Sequence, residues 1–310
     1  MGSPEANPAA ADVTAAEEPR RSGFIPQKQP GLHAVRLQVA GGSLNAEQLV
    51  RLAELARRYG SGLVHLTARQ GVELLDVPEE HCSALADDLA RSGLSVGVRG
   101  NRVRTVTACS AERCRFGLIR AQALAAALDE RFYGRGGLPH KFKLAVTGCP
   151  TACLKPREND LGVQGVVRVR LAPDCCTGCG ACVRACPAGA LTLAEGIPVI
   201  DRRRCLGCSR CVRICAQSAW QQTEVGFRIF AGGKMGKFPR LGRVVFPFLK
   251  GEESVLTVID ATLSFYASEG KPKERFADTL RRVGWQRYRA YVRGRLSAVA
   301  APRSPELPAA

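Results

Sequence analysis

Between Gly23 and about Pro78 the apolar and polar positions run in the order strand, helix, strand, strand. A strand is predicted around Leu32 to Val39, and a helix follows near Asn45 to Arg58, with Leu49, Leu52 and Leu55 on one face and Gly60 as its stop. The runs LVHLTA and VELLDV predict two strands flanking a turn at Arg69-Gln70-Gly71. A second helix over Glu79 to Arg91, ended by Gly93, and strands near Leu94 to Val98 and Val103 to Thr107 complete an α+β layer. A long amphipathic helix from about Phe116 to Phe132 leads to a strand, HKFKLAVTG. Past the cysteine-rich stretch come a strand at Gly226 to Phe230, a Gly/Lys/Pro loop (GGKMGKFPRLG) and two basic helical stretches ending near Val292.

The two ends have no such periodicity. Residues 1–22 are rich in Ala, Pro and Glu and cannot bury enough surface to order themselves, and residues 296–310 read as a second flexible tail. Arg20-Arg21 is followed by IPQKQPGLH rather than an apolar segment, which argues against a twin-arginine export signal. No run reaches the roughly 18 apolar residues of a membrane span, so a cytoplasmic protein is expected.

With 310 residues, 45% of them hydrophobic, the chain can build one large domain or two smaller ones, and global disorder is excluded. The net charge of +17 predicts a surface that attracts anions. Fourteen cysteines in a chain with no export signal point to metal rather than disulfides. Nine of them fall within residues 174–220. There Cys176, Cys179, Cys182 and Cys186 form C-x2-C-x2-C-x3-C-P, and Cys205, Cys208, Cys211 and Cys215 repeat the spacing with Ala216 in place of the proline. This is the two-cluster bacterial ferredoxin pattern, in which the fourth cysteine of each run reaches the other cluster. One cube is therefore assigned to Cys176, Cys179, Cys182 and Cys215, and a second to Cys205, Cys208, Cys211 and Cys186. Structural zinc would need four cysteines, not eight in a duplicated array.

Four further cysteines stand in two pairs, Cys109 with Cys114 and Cys149 with Cys153, and they suit one more cube. Cys82, on a predicted helix, and Cys175, out of spacing, read as bystanders. Together, TACSAERCRFG, LPHKFKLAVTGCPTACLK and GGKMGKFPRLG resemble the sirohaem-dependent sulfite and nitrite reductases, above all the small anaerobic sulfite reductase catalytic subunits. The resemblance covers nearly everything from Gly23 to Val292. It implies an α+β fold in which a ferredoxin-like half-domain (23–80) and a cluster-binding core (81–170 and 222–295) carry an inserted 2[4Fe-4S] ferredoxin domain (171–221). It also implies that Cys109, Cys114, Cys149 and Cys153 hold a [4Fe-4S] cube and that Cys153 ligates the sirohaem iron, giving sirohaem and three [4Fe-4S] clusters. The family usually spaces the first pair C-x5-C, whereas four residues separate Cys109 from Cys114.

In HKFKLAVTG, strand alternation sets Lys141 and Lys143 on one face and Phe142 and Leu144 on the other. The strand runs directly to Cys149 and Cys153, so the lysines lie near the metal. The resemblance implies that Lys141 and Lys143, with Arg69 and Arg104, surround an oxyanion; His140 points away as a packing or cofactor-edge residue. Fixed cations suit a dianion such as sulfite, and lysine among other cations can also pass protons. Sirohaem carries many carboxylates, for which Lys155, Arg157, Lys234, Lys237 and Arg240 are candidates. The loop GGKMGKFPRLG lacks the first glycine and the Ser/Thr of a P-loop and is not read as a nucleotide site.

The expected activity is six-electron reduction of sulfite to sulfide, with nitrite reduction to ammonia as the alternative within the class. An iron-sulfur electron carrier without sirohaem is the rival class. Nucleic-acid binding is disfavoured, since aromatic residues are only 6% and no recognition motif occurs. No dinucleotide or flavin fingerprint is present, so electrons should come from a ferredoxin or from flavin or iron-sulfur subunits. The family builds its site within a pair of similar halves and one half is found here, so a homo- or hetero-oligomer is expected.

Overall fold

The computed structural model describes residues 22–300, with side chains to 298. The predicted N-terminal tail, apart from Ser22, and residues 301–310 of the C-terminal one lie outside the described residues.

Two layers make up the body. The first is an antiparallel sheet of β1 (Phe24–Pro26), β2 (Leu32–Gln38), β3 (Val64–Leu66), β4 (Val72–Pro78) and β5 (Ser95–Val96), in the order β1-β2-β4-β3 with β5 also on β2. Two helices, α1 (Ala46–Tyr59) and α2 (Cys82–Arg91), cover one face. Helix α1 begins with a reciprocal cap between Asn45 and Gln48. Its stripe is narrower than predicted: Leu52 and Leu55 are buried, but Leu49 is 54% exposed because it falls off the sheet-facing side.

The second layer has the order β12-β11-β8-β7-β6, from β6 (Thr107–Ala108), β7 (Leu144–Thr147), β8 (Leu161–Leu171), β11 (Trp220–Ala231) and β12 (Arg243–Leu249). Strands β6, β7 and β8 are parallel and the other pairs antiparallel. Its core is shared with α3 (Ala121–Phe132), α6 (Glu252–Glu269), α7 (Phe276–Val283) and α8 (Trp285–Ala300). Helix α3 starts five residues later than the sequence suggests, because Leu118 donates its N–H to the Gly148 carbonyl (2.9 Å) and ties that stretch to the cysteine loop instead. The chain stays helical to Ala300, past the predicted limit near Val292. Strand β11 extends well beyond the predicted Gly226 to Phe230, since it pairs with β8 along eleven registered positions.

Strand β8 was not foreseen from the apolar pattern. Seven consecutive residues from Leu161 are buried, so it has no alternation, and glycines interrupt it. Between β8 and β11 lies the cysteine-rich segment, a hairpin of β9 (Leu191–Ala194) and β10 (Ile197–Ile200) with two one-turn helices, α4 (Ala181–Ala185) and α5 (Arg210–Ile214).

The layers are clamped where the site lies. Asp129 of α3 accepts from the Gln38 side chain (2.6 Å) and the Val106 N–H (3.0 Å), while Gly41 N–H bonds the Val106 carbonyl at 2.9 Å. Among the described residues no helix is long and apolar enough to cross a membrane.

Candidate oxyanion and iron-sulfur site

The β3–β4 turn is built to project Arg69. The Thr67 hydroxyl accepts the Gly71 N–H at 2.9 Å, Gln70 adopts a left-handed conformation (φ 57°), and the Gln70 amide makes two 2.9 Å bonds to the backbone of Ala108. Locked to the second layer in this way, the turn sends Arg69 inward, where its guanidinium meets the Asn159 carboxamide oxygen and the Leu144 carbonyl (3.4 Å). Arg104 donates to the carbonyls of Val98 (2.7 Å) and Gly100 (3.1 Å), and its buried Nε has no partner.

Lys141 and Lys143 precede the regular part of β7, and the bridge between Phe142 and Val103 extends the pairing across them. Phe142 and Leu144 are buried, so the lysines point the other way, as alternation requires. Together with Arg36, Thr67 and Thr105, these four cations line a cavity of about 320 Å³ with no carboxylate in its lining. Arg36 was not identified from sequence; it comes from β2 and is held by Glu73 at 2.6 Å.

This crowding of cations governs protonation. Burial first, then Arg69, Lys141 and Arg275, push Lys143 down to about 8, with Asp160 opposing. Burial, then Arg275 and Arg104, lower Lys141. Arg69 and Arg104 fall to about 10, both chiefly through burial, and so stay charged at neutral pH. His140 is held neutral by burial and by Lys141, and its Nδ1 accepts the Lys141 N–H at 2.8 Å, in keeping with a packing role.

The strand that carries the lysines ends in the loop of Cys149 and Cys153. Two successive turns, Ala152 N–H to the Cys149 carbonyl (3.1 Å) and Lys155 N–H to the Ala152 carbonyl (2.8 Å), with Ala152 and Lys155 left-handed, bring the backbone round tightly between them. Beside it the Cys109 sulfur accepts the Gly148 N–H at 3.1 Å, and Cys114 accepts the Phe116 N–H at 3.5 Å.

Between β8 and β11 eight cysteines divide between two cavities. Cys176, Cys179, Cys182 and Cys215 line one of about 230 Å³, and Cys186, Cys205, Cys208 and Cys211 line the other. The fourth cysteine of each run lines the cavity of the other run. The two runs repeat in backbone as well: Gly178 and Gly207 have φ of 68° and 70°, and Gly180 and Ser209 have φ of 69° and 61°. Among the described residues no three His, Cys, Asp or Glu side chains converge as they would on one metal ion. A cube takes each thiolate at a different corner, so cluster ligands surround a volume rather than a point. Four thiolates around each volume are the ligand set that one cube would need.

Strand β8 carries the cysteine loops in sequence. Gly165 lies against the Gly148 carbonyl, Val167 donates its N–H to the Gly207 carbonyl (3.0 Å), and Leu171 pairs with Trp220, which lines the Cys176 cavity. From Gly165 to Leu171 is about 20 Å of extended strand.

The loop cations divide into two groups. Lys234 and Arg240 are engaged by Asp278, at 2.7 and 3.5 Å. Arg157 donates Nε to the Gly242 carbonyl, and the head groups of Lys155 and Lys237 stand in exposed positions. Cys82 is buried under β4, its thiol pushed up to about 11 by burial, and Cys175 is exposed.

Residues 99–299 match the family model described as the nitrite and sulphite reductase 4Fe-4S domain, and residues 25–92 match the nitrite/sulfite reductase ferredoxin-like half domain. The chain belongs to the nitrite and sulphite reductase family. Membership makes it an oxidoreductase of that class. It is 31% identical over 273 residues to one of the subunits of the anaerobic sulfite reductase of Salmonella typhimurium, covering 79% of this chain and 78% of that one. An uncharacterized protein of Methanocaldococcus jannaschii is 34% identical over 261 residues, covering 84% and 91%. The fold matches the crystal structure of dissimilatory sulfite reductase I with a TM-score of 0.71 at 24% identity, over 89% of this chain and 73% of that one. The cationic cavity lies at the junction of the two matched regions, with Arg36 and Arg69 from the first and Arg104, Lys141 and Lys143 from the second.

Proposed function

We propose that the chain is the catalytic subunit of a sirohaem-dependent sulfite reductase that carries three [4Fe-4S] clusters. The observation that carries this is the cavity of five cations and no carboxylate on the strand that runs into the Cys149–Cys153 loop. Sirohaem and the clusters, when bound, supply the six-electron chemistry. Cys109, Cys114, Cys149 and Cys153 would hold the core cube, Cys153 would also ligate the sirohaem, and the exposed Lys155, Arg157 and Lys237 suit the sirohaem carboxylates.

The residues of the chain bind and feed protons. Arg69 and Arg104, charged and fixed by backbone carbonyls, orient the oxyanion. Lys143, near its titration point at neutral pH, delivers protons as oxygen leaves as water, and Lys141 stands beside it. Clusters held by the two four-cysteine cavities along β8 would supply one-electron transfer, and the net charge of +17 would attract an acidic donor protein or subunit. An assembly of similar halves would complete the site.

The test is anaerobic purification with quantification of iron, acid-labile sulfide and sirohaem, followed by turnover of sulfite and of nitrite with reduced viologen. Sirohaem, about twelve non-haem irons per chain and higher kcat/KM for sulfite are expected. Higher kcat/KM for nitrite would reassign the substrate, and clusters without sirohaem would make the chain an electron carrier.

A further inference from the structure

Two side chains outside the cavity hold its cations in place. Asn159 and Asp160 lie between the Cys153 loop and β8, both at least 95% buried. The Asn159 carboxamide oxygen accepts from Arg69, and its NH2 donates to the Lys155 carbonyl at 3.2 Å. Asp160 is fully buried; one carboxylate oxygen accepts the Lys143 N–H at 2.9 Å, and both accept from Arg275, at 3.0 and 2.9 Å. The next residue, Leu161, donates its N–H to the Lys143 carbonyl at 3.2 Å, and the Asp160 carbonyl accepts Gly232 N–H at 2.9 Å. Lys143 is thus gripped on both sides of its backbone by one dipeptide.

Arg275 is itself pinned. It opens α7, and the preceding Glu274 carboxylate is held by the Lys271 N–H (2.9 Å), the Thr279 hydroxyl (3.0 Å) and Arg282 (2.7 Å). Burial pushes the Asp160 carboxyl up, while Arg275 and the Lys143 N–H oppose that shift, so Asp160 is an internal counter-charge fixed from two elements and facing a group of cations.

We propose that Asn159 and Asp160 are a positioning element that joins the Cys153 loop to the oxyanion cavity, Asn159 by holding Arg69 and Asp160 by holding Lys143 and Arg275. The inference rests on the sulfite-reductase reading only for its consequence in catalysis. The charged groups that face Lys143 are Arg69 from the β3–β4 turn, Lys141 from its own strand, Arg275 from the start of α7 and Asp160; of these Asp160 alone favours the ammonium. Removing the Asp160 charge leaves Lys143 among cations only, so its proton departs at lower pH. Removing Asn159 frees Arg69 without changing the buried charge.

The experiment follows the Lys143 side chain directly. In the full holoprotein labelled with 13C at lysine Cε, the Lys143 signal is assigned by its loss in Lys143→Arg and titrated by NMR. A midpoint near pH 8 is expected for the native chain. In Asp160→Asn the proton affinity falls by about 10-fold or more, and Asp160→Glu, which keeps the charge, restores it. A native midpoint in Asp160→Asn overturns the assignment. Should that variant fail to fold, Asn159→Ala keeps the test open: sulfite KM rises by about 10-fold with kcat unchanged. Native KM in Asn159→Ala also overturns it. Because the titration needs no substrate, a chain that shows these shifts but turns over neither sulfite nor nitrite leaves the positioning element standing and removes the functional reading.

Discussion

Gly165 offers the sharpest test of how the fold holds the core cube. It sits on β8 with its face against the Gly148–Cys149 backbone, and an added Cβ would stand 2.4 Å from the Gly148 carbonyl oxygen and 2.9 Å from Ile119 Cγ1. Ordinary contact begins near 3.4 Å, so in Gly165→Ala the loop must retreat by about 1 Å. That carbonyl accepts the Leu118 N–H, and the N–H of the same residue bonds the Cys109 sulfur, so the retreat strains both pairs of cysteines that the proposed core cube needs. Overpacking of this kind costs about 1–3 kcal/mol. In a protein of this size it lowers Tm by roughly 2–5 °C. Iron analysis should show loss of about four atoms per chain, one cube, with the ferredoxin-type clusters retained. Gly294→Ala is the control: nothing lies within 4 Å of its Cβ position, it is on α8, and helix propensity favours the change by about 1 kcal/mol. Native iron content and Tm in Gly165→Ala would refute the close approach as the reason for glycine there.

Lys143→Ala and Arg69→Ala should each lower kcat/KM for sulfite by about 10- to 1000-fold in the viologen assay, as expected when one preorganised charge is removed. Lys143 is an ammonium below about pH 8 and neutral above it, so log kcat/KM should descend above that pH, and Lys143→Arg should remove the descent. Cys153→Ser should abolish sulfite turnover while Cys82→Ser leaves iron content unchanged, measured by activity and by metal analysis. The isolated chain should turn over sulfite with reduced viologen but not with NADH or NADPH; sulfite-dependent NADH oxidation by the pure chain would refute the reading that no nucleotide site is present.

What could be read in the sequence was local. The ferredoxin-type cysteines lie within eleven-residue runs, so spacing alone assigns them to two sets, and the two cavities contain those sets. Lys141 and Lys143 were legible because a strand alternates, while Arg69 and Arg104 were named only through the resemblance. Arg36, Asp160 and Arg275 carried no such mark. They come from three distant elements, and an arginine on a half-exposed strand or at a helix start is ordinary until the fold sets it beside the cationic cavity. The asparagine and aspartate after Cys153 resemble any polar turn; only their burial at 5% and 0% exposure distinguishes them. Phe116 to Arg120 has helical composition yet is drawn into a loop, since the Leu118 N–H serves the Gly148 carbonyl, a tertiary demand that outweighs propensity.

The cysteine-rich segment leaves the core on β8 and returns on β11, and these strands are paired to each other right up to the departure point, where Leu171 faces Trp220. There is no slack linker at this junction. Unfolding of the cysteine-rich unit therefore frays the central strands of the second sheet from one end, so the unit and the core should melt in a single cooperative transition rather than as two. Oxygen damage at an outer cluster would then register as lost stability of the whole enzyme, and calorimetry of partly oxidised protein should show one transition that moves to lower temperature instead of a second, earlier peak.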